Sequence, residues 1–170
     1  MDLNSERIEK AEVFKRLATA FALPKALEDA LFEDFDENLG KQACPYTGTL
    51  AVLAALKQKV LKLGIVTNGR DAFQRSKIDG MGFTKFVDSI VTSGGFGVKK
   101  PDLKIFRACL EKLDVAPEST AFVGDDFAAD MEPAIELGML AIWKSTKQST
   151  RVAFCSNEIT QIGQHLLSVA

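Results

Sequence analysis

The sequence predicts an α/β fold, with a parallel β-sheet sandwiched between layers of helices. From residue 62 onward, short continuous apolar runs alternate with stretches of helical periodicity. The runs lack polar alternation, the pattern of strands buried on both faces. Right-handed crossovers between successive parallel strands then place helices on both sides of the sheet.

The elements follow in order. Ile8, Ala11, Val13, Phe14, Leu17, Ala18 and Phe21 predict a helix over residues 5–22. Pro24 breaks it, and Ala26, Leu27, Ala30, Leu31 and Phe35 predict a second, so the pair forms a helical hairpin. Cys44-Pro45-Tyr46-Thr47-Gly48 is a loop with Pro and Gly punctuation. Leu50, Leu53, Ala54, Leu56 and Val60 predict a third helix. The period then changes, and 62–67 is the first strand, ending in Asn68-Gly69. Helices at 71–81, 102–113 and 128–138 alternate with strands at 87–92, 120–124 and 139–143. A fifth run at 152–155 predicts one more strand, and Asn157 is expected to cap a closing helix through Leu167.

Composition narrows the function classes. Net charge is −2 with acids and bases mixed, which argues against nucleic acid or an anionic membrane surface as partner. The polar start, MDLNSERIEK, is not a signal peptide, and no apolar run is long enough to span a membrane. Cys44, Cys109 and Cys155 have neither metal-ligand spacing nor the look of a disulfide framework. A reducing, cytoplasmic compartment is the expectation.

In an open parallel sheet, sites form beyond the carboxyl ends of strands. Three such ends carry polar clusters. Thr67-Asn68-Gly69 offers a hydroxyl, an amide and backbone N–H groups suited to an oxyanion, or else forms a plain strand-to-helix turn. Gly124-Asp125-Asp126, with Asp130 beyond, gathers carboxylates that suit a hard divalent cation. Asp126 or Asp130 could instead cap the next helix. Lys99-Lys100-Pro101-Asp102 fixes a lysine before a proline expected to open a helix, where it could neutralise phosphate or bridge carboxylates. Alone, such a lysine is more often a solvated surface residue.

These clusters, in this order, resemble the haloacid dehalogenase superfamily, in the subfamily with a small helical cap inserted after the first strand. Ile65-Val66-Thr67-Asn68-Gly69 resembles its second motif, Lys100-Pro101-Asp102 its third, and Gly124-Asp125-Asp126 with Asp130 its fourth. The resemblance implies a three-layer Rossmann-like sheet and phosphoester hydrolysis through an aspartyl-phosphate, on a small phosphorylated molecule with Mg²⁺. It gives Thr67, Asn68 and Gly69 to the substrate phosphate and Lys100 to stabilisation of charge at the reacting centre. It gives Asp125 to catalysis and the metal, with Asp126 or Asp130 assisting. Dehalogenation of a haloacid fits less well, because the Gly124-Asp125 signature favours phosphate.

The family's first motif, an apolar strand followed by Asp-x-Asp-x-Thr, supplies the nucleophile. No such strand precedes the cap helices in this sequence. Asp34-Phe35-Asp36 has the Asp-x-Asp spacing, but its flanks predict a helix, and Asn38 stands where Thr is expected. Residues 1–44 are therefore expected to form a remnant of the cap and 45–170 the α/β core. A missing central strand would expose two inner sheet edges. We expect those edges to pair with each other, with a rearranged segment, or with another chain, most simply in a homodimer. The expected activity is an impaired hydrolase; the alternative is a non-catalytic protein acting by self-association or binding. His165 and Trp143 are expected to pack, and Tyr46 with Pro45 to form a hinge at the mouth.

Overall fold

The computed structural model describes residues 10–170, apart from the side chains of Lys10 and Asp36. The first turn of the predicted opening helix, with Ile8, lies outside the described residues. Helix α1 (Lys10–Ala20) and helix α2 (Lys25–Asn38) form the expected hairpin, with Pro24 at the entry to α2. The Phe14 ring lies edge-on to Phe32 at 5.6 Å and to Phe35 at 5.2 Å. Val13, Leu17 and Phe21, spaced four apart, leave an exposed apolar strip, and Leu27 and Leu31 leave a second.

A short 3₁₀ turn at Gly40–Gln42 and the 44–48 loop lead to α3 (Thr49–Gln58). Then come β1 (Gly64–Thr67), α4 (Asp71–Gly80), β2 (Ser89–Thr92), the four-residue α5 (Ser93–Phe96) and α6 (Leu103–Leu113). A 3₁₀ turn at Pro117–Ser119 precedes β3 (Ala121–Gly124). A π-helical turn at Phe127–Met131 runs into α7 (Glu132–Glu136), followed by β4 (Leu140–Lys144), β5 (Phe154–Ser156) and α8 (Ile159–Val169). No helix among the described residues is long and apolar enough to cross a membrane.

The strands are parallel, as expected, but they form two sheets. β1 pairs with β2 in the register Gly64↔Ser89 to Thr67↔Thr92. β3 pairs with β4, and β4 with β5. Among the described residues β1 and β3 do not pair with each other, and no rearranged segment lies between them. The expected closure of the sheet within the chain is therefore not observed.

The two sheets nevertheless share one core. Helix α6 buries Ile105, Phe106, Ala108, Cys109, Leu110 and Leu113 along one face. These residues share one buried cluster with Val91 of β2 and Ala141 and Trp143 of β4, and Val66 of β1 and Phe122 of β3 pack against that cluster. Gly64 lets α6 come close: a Cβ there would lie 2.7 Å from the Cys109 sulfur. Burial pushes the Cys109 thiol's pKa up, so this cysteine acts as a core residue. All three cysteines are free.

Two terminal details differ from expectation. Pro101, expected to open α6, lies before it: the helix starts at Leu103, and Asp102 caps it by accepting a hydrogen bond from the Lys104 N–H at 2.8 Å; the Lys100–Pro101 bond is cis. Glu158, not Asn157, stands at the start of α8, and the Ser156 hydroxyl accepts its N–H at 3.0 Å. Asn157 instead accepts from Lys144. His165 packs as expected, stacking on Phe154 with ring centroids 4.4 Å apart.

The start of β1 is held by Asp88, whose carboxylate accepts the Leu63 N–H at 2.7 Å and the Lys57 ammonium at 2.8 Å. Lys57, then the Leu63 N–H, lower the Asp88 pKa below the usual carboxylate value. A lowered folded-state pKa stabilises above the unfolded value and is lost as pH falls through the folded one. Asp88→Asn is therefore expected to cost about 1 kcal/mol at neutral pH, limited by solvent screening. The difference should begin to fade as pH falls through about 4 in unfolding curves, and vanish only below the lowered folded-state value.

Candidate functional site

The carboxyl ends of β1 and β3 meet through Lys100. Its ammonium donates to Asp130 Oδ1 at 2.6 Å, with the lysine side chain 14% and the aspartate 4% exposed. It lies 6.0 Å from the Phe122 ring centroid. The second Asp130 oxygen accepts the Asp126 N–H at 3.2 Å. Gly124 makes room for this carboxylate: a Cβ there would fall 2.5 Å from Asp130 atoms. From the other side, the Asn68 side chain clamps the Lys100 backbone, Oδ1 accepting its N–H at 2.8 Å and Nδ2 donating to its carbonyl at 3.1 Å. A continuous chain, Asn68–Lys100–Asp130–Asp126, thus joins the two strand ends.

The residues expected at the site divide into those that face the mouth and those that build it. Thr67 ends β1, half-buried, its hydroxyl without a hydrogen bond among the described residues. Asn68, expected on substrate, has its side-chain amide committed to Lys100. Gly69 donates its N–H to the Ser93 hydroxyl at 2.9 Å, so that N–H too is a brace. Gln74 Nε2 donates to the Asn68 carbonyl at 3.0 Å and closes the turn. Asp126 caps the π-helical turn by accepting the Ala129 N–H at 3.0 Å. Asp125 is exposed and its carboxylate has no partner among the described residues. Its carbonyl accepts the Trp143 indole N–H at 3.0 Å, which fixes the turn. At the edge of this face, the Lys144 ammonium sits 4.0 Å above the exposed Tyr46 ring.

Asp34 and Asp36 do not stand at a strand end. The segment Asp34-Phe35-Asp36 lies inside α2, where Asp34 is exposed and accepts from Asn38 Nδ2 at 2.8 Å. The Asp36 side chain lies outside the described residues.

The sequence profile of the haloacid dehalogenase-like hydrolases matches residues 6–144. The chain belongs to this family. In this family two curated relatives resemble it over 98 residues, 58% of this chain. One is the glyceraldehyde 3-phosphate phosphatase of Methanocaldococcus jannaschii, 39% identical over 43% of its own length. The other is the phosphoserine phosphatase of Thermus thermophilus, 37% identical over 39% of its length. The chain thus spans less than half of these relatives. Among solved structures, a haloacid dehalogenase-family phosphatase from Thermococcus onnurineus superposes with a TM-score of 0.70, at 21% identity. That match covers 92% of this chain and 87% of the other. A 2-haloacid dehalogenase from Pseudomonas syringae gives 0.71 at 24% identity, covering 86% and 63%. These likenesses show the haloacid dehalogenase-like fold.

The donor set fits the Mg²⁺ that the family implies only in part. Such an ion takes oxygen ligands, commonly one or two carboxylates plus waters and substrate phosphate. Asp125 offers a free carboxylate, whereas Asp126 and Asp130 are engaged as cap and counter-ion. No group of three acids, histidines or cysteines gathers among the described residues. Sequence reasoning missed Trp143 and Ser93 as positioning residues. Their partners are 18 and 24 positions away, and no local pattern signals such contacts.

Proposed function

We propose that the mouth between β1 and β3 is half of a phosphoester-hydrolase site, and that the chain alone is catalytically impaired. The observation that carries this is the bridge from Asn68 through Lys100 and Asp130 to Asp126, which brings one half-buried cation and the free Asp125 carboxylate to one mouth. In this reading the Thr67 hydroxyl and Lys100 hold a phosphoryl group of a small phosphorylated molecule. Asp125 holds Mg²⁺, with Asp126 and Asp130 shaping the turn and setting the position of Lys100. The ion, when bound, would supply positive charge against the phosphoryl oxygens. Asn68 and Gly69 act by keeping Thr67 and Lys100 in place. The names of the phosphatase relatives support a phosphate ester over a haloacid. Residues 1–44 serve as a partial cap and 45–170 as the core.

The helical setting of Asp34 supports impairment, since it leaves Asp125 as the free carboxylate at the mouth. Covalent attack by a carboxylate supplies much of the barrier reduction in such chemistry, so its loss slows turnover by many orders of magnitude. A second reading, a protein acting through self-association or other protein contacts in a reducing cytoplasm, is favoured by the unpaired edges of β1 and β3.

The test is hydrolysis of p-nitrophenyl phosphate with Mg²⁺ by the unaltered chain, beside Asp125→Ala and Lys100→Met. We expect the unaltered chain to turn over no faster than either variant. Turnover that both substitutions abolish, in variants whose folded state is verified by circular dichroism, would show that the chain has its own nucleophile.

A further inference from the structure

Lys144 ends β4 beside the mouth. Gly124 of β3 stands level with Trp143 of β4, so the next residues, Asp125 and Lys144, lie side by side on neighbouring strands. Strand spacing puts their backbones about 5 Å apart. The open slot that separates β1 from β3 is on the other side of Asp125. The Trp143 indole, one residue before Lys144, donates to the Asp125 carbonyl at 3.0 Å and so ties the two positions together.

The Lys144 ammonium has no ion-pair partner among the described residues. It donates one long hydrogen bond, 3.3 Å to Asn157 Oδ1, and lies 4.0 Å from the centroid of the Tyr46 ring. An ammonium carries three N–H donors, so two are left over. Asn157 turns its oxygen to the lysine, and its amide N–H groups have no partner among the described residues. Tyr46 is 63% exposed, and its hydroxyl is likewise without a partner there. Three donor groups thus gather with no carboxylate against them. A solvated lysine would extend into water, whereas this one lies back on a ring. Both supports are anchored. The Tyr46 carbonyl accepts the Thr49 N–H at 3.1 Å and the Thr49 hydroxyl at 2.7 Å, at the start of α3. Ser156, next to Asn157, is buried, and its carbonyl accepts the Ser145 N–H at 3.0 Å. Helices α3 and α8 pack together behind them.

We propose that Lys144, with Tyr46 and Asn157, is a second anion subsite, and that the substrate is a small phosphate ester bearing a carboxylate. The inference rests on the reading of the mouth as a phosphoryl site. With the phosphoryl group at Thr67 and Lys100, the far end of the substrate crosses Asp125 and meets Lys144. The exposed Asp125 and Asp126 would repel a carboxylate there, and Lys144 offsets that repulsion. A single cation with two neutral donors matches the one charge of a carboxylate better than the two of a second phosphate. Hydrogen bonds from an ammonium to a carboxylate are strong ones, so the subsite selects between esters of equal size.

The test is calorimetric titration of the full chain, in Mg²⁺ buffer, with two probes that require no turnover. One is 3-phosphooxypropionate, and the other is propyl phosphate, which has a methyl group in place of the carboxylate. The first should bind about tenfold more tightly. Lys144→Met should bind the two alike, whereas Lys144→Arg should retain the preference. Lys147→Met, which alters an exposed lysine three residues on, should also retain it. Equal binding of the two probes by the unaltered chain would overturn the subsite and leave the phosphoryl site standing. A preference that survives in Lys144→Met, or that is lost equally in Lys147→Met, would overturn it too. Binding of neither probe would overturn the phosphoryl site itself, and the subsite with it.

Discussion

Lys100→Ala is expected to destabilise the chain by about 3–5 kcal/mol, the cost of stripping one partner from a buried ion pair. Lys100 and Asp130 are 14% and 4% exposed and 2.6 Å apart, so removing the lysine leaves a carboxylate with little access to water. Its remaining bond, from the Asp126 N–H, does not replace a full counter-charge. The paired replacement Lys100→Met with Asp130→Leu should recover most of the loss, because it removes both charges and keeps the volume. Urea unfolding of the two single variants and the double variant measures the coupling. Additive single effects, each under about 1 kcal/mol, would show that the pair is solvated like a surface salt bridge.

Phe106→Ala should cost about 3–5 kcal/mol, through lost burial and the cavity left behind. Phe106 is 0% exposed, and its ring meets Phe122 of β3 with centroids 4.9 Å apart. Helix α6 also lies against β1 and β2, so this side chain ties the two sheets together across the open slot. Phe106→Leu, which keeps most of the volume, should cost markedly less. A lower denaturant midpoint with an unchanged slope is the expected signature. A shallower slope would mean that the two halves unfold separately.

The parts of the fold legible in the sequence were those set by local periodicity. The strands ending at Thr67, Thr92 and Gly124 lie where the apolar runs stop, and 34–36 is helical because its flanks repeat at helical spacing. The three clusters do converge, as strand-end topology requires. The division of labour within them was not legible. Asn68 has donors and acceptors that suit a phosphate, yet they are spent on the backbone of a residue 32 positions away. Asp130 has a ligand's chemistry, yet Gly124 lets it fold back against β3 and hold Lys100. Such choices depend on tertiary distances that spacing does not encode. The sequence also announced two unpaired edges without saying how they are resolved. Among the described residues they are left open, and the exposure of Val123 beside a buried Ile142 is the mark of it.

Among the described residues, β1 and β3 flank an open slot at one shared mouth. Amide exchange of the unmodified chain, with its molar mass measured in the same solution, tests this most directly. The inner-edge amides of 64–67 and 121–124 should exchange far faster than those of the central strand 140–144, in a monomer. Equal protection of all three segments in a monomer would mean that the sheet is continuous, and would contradict it.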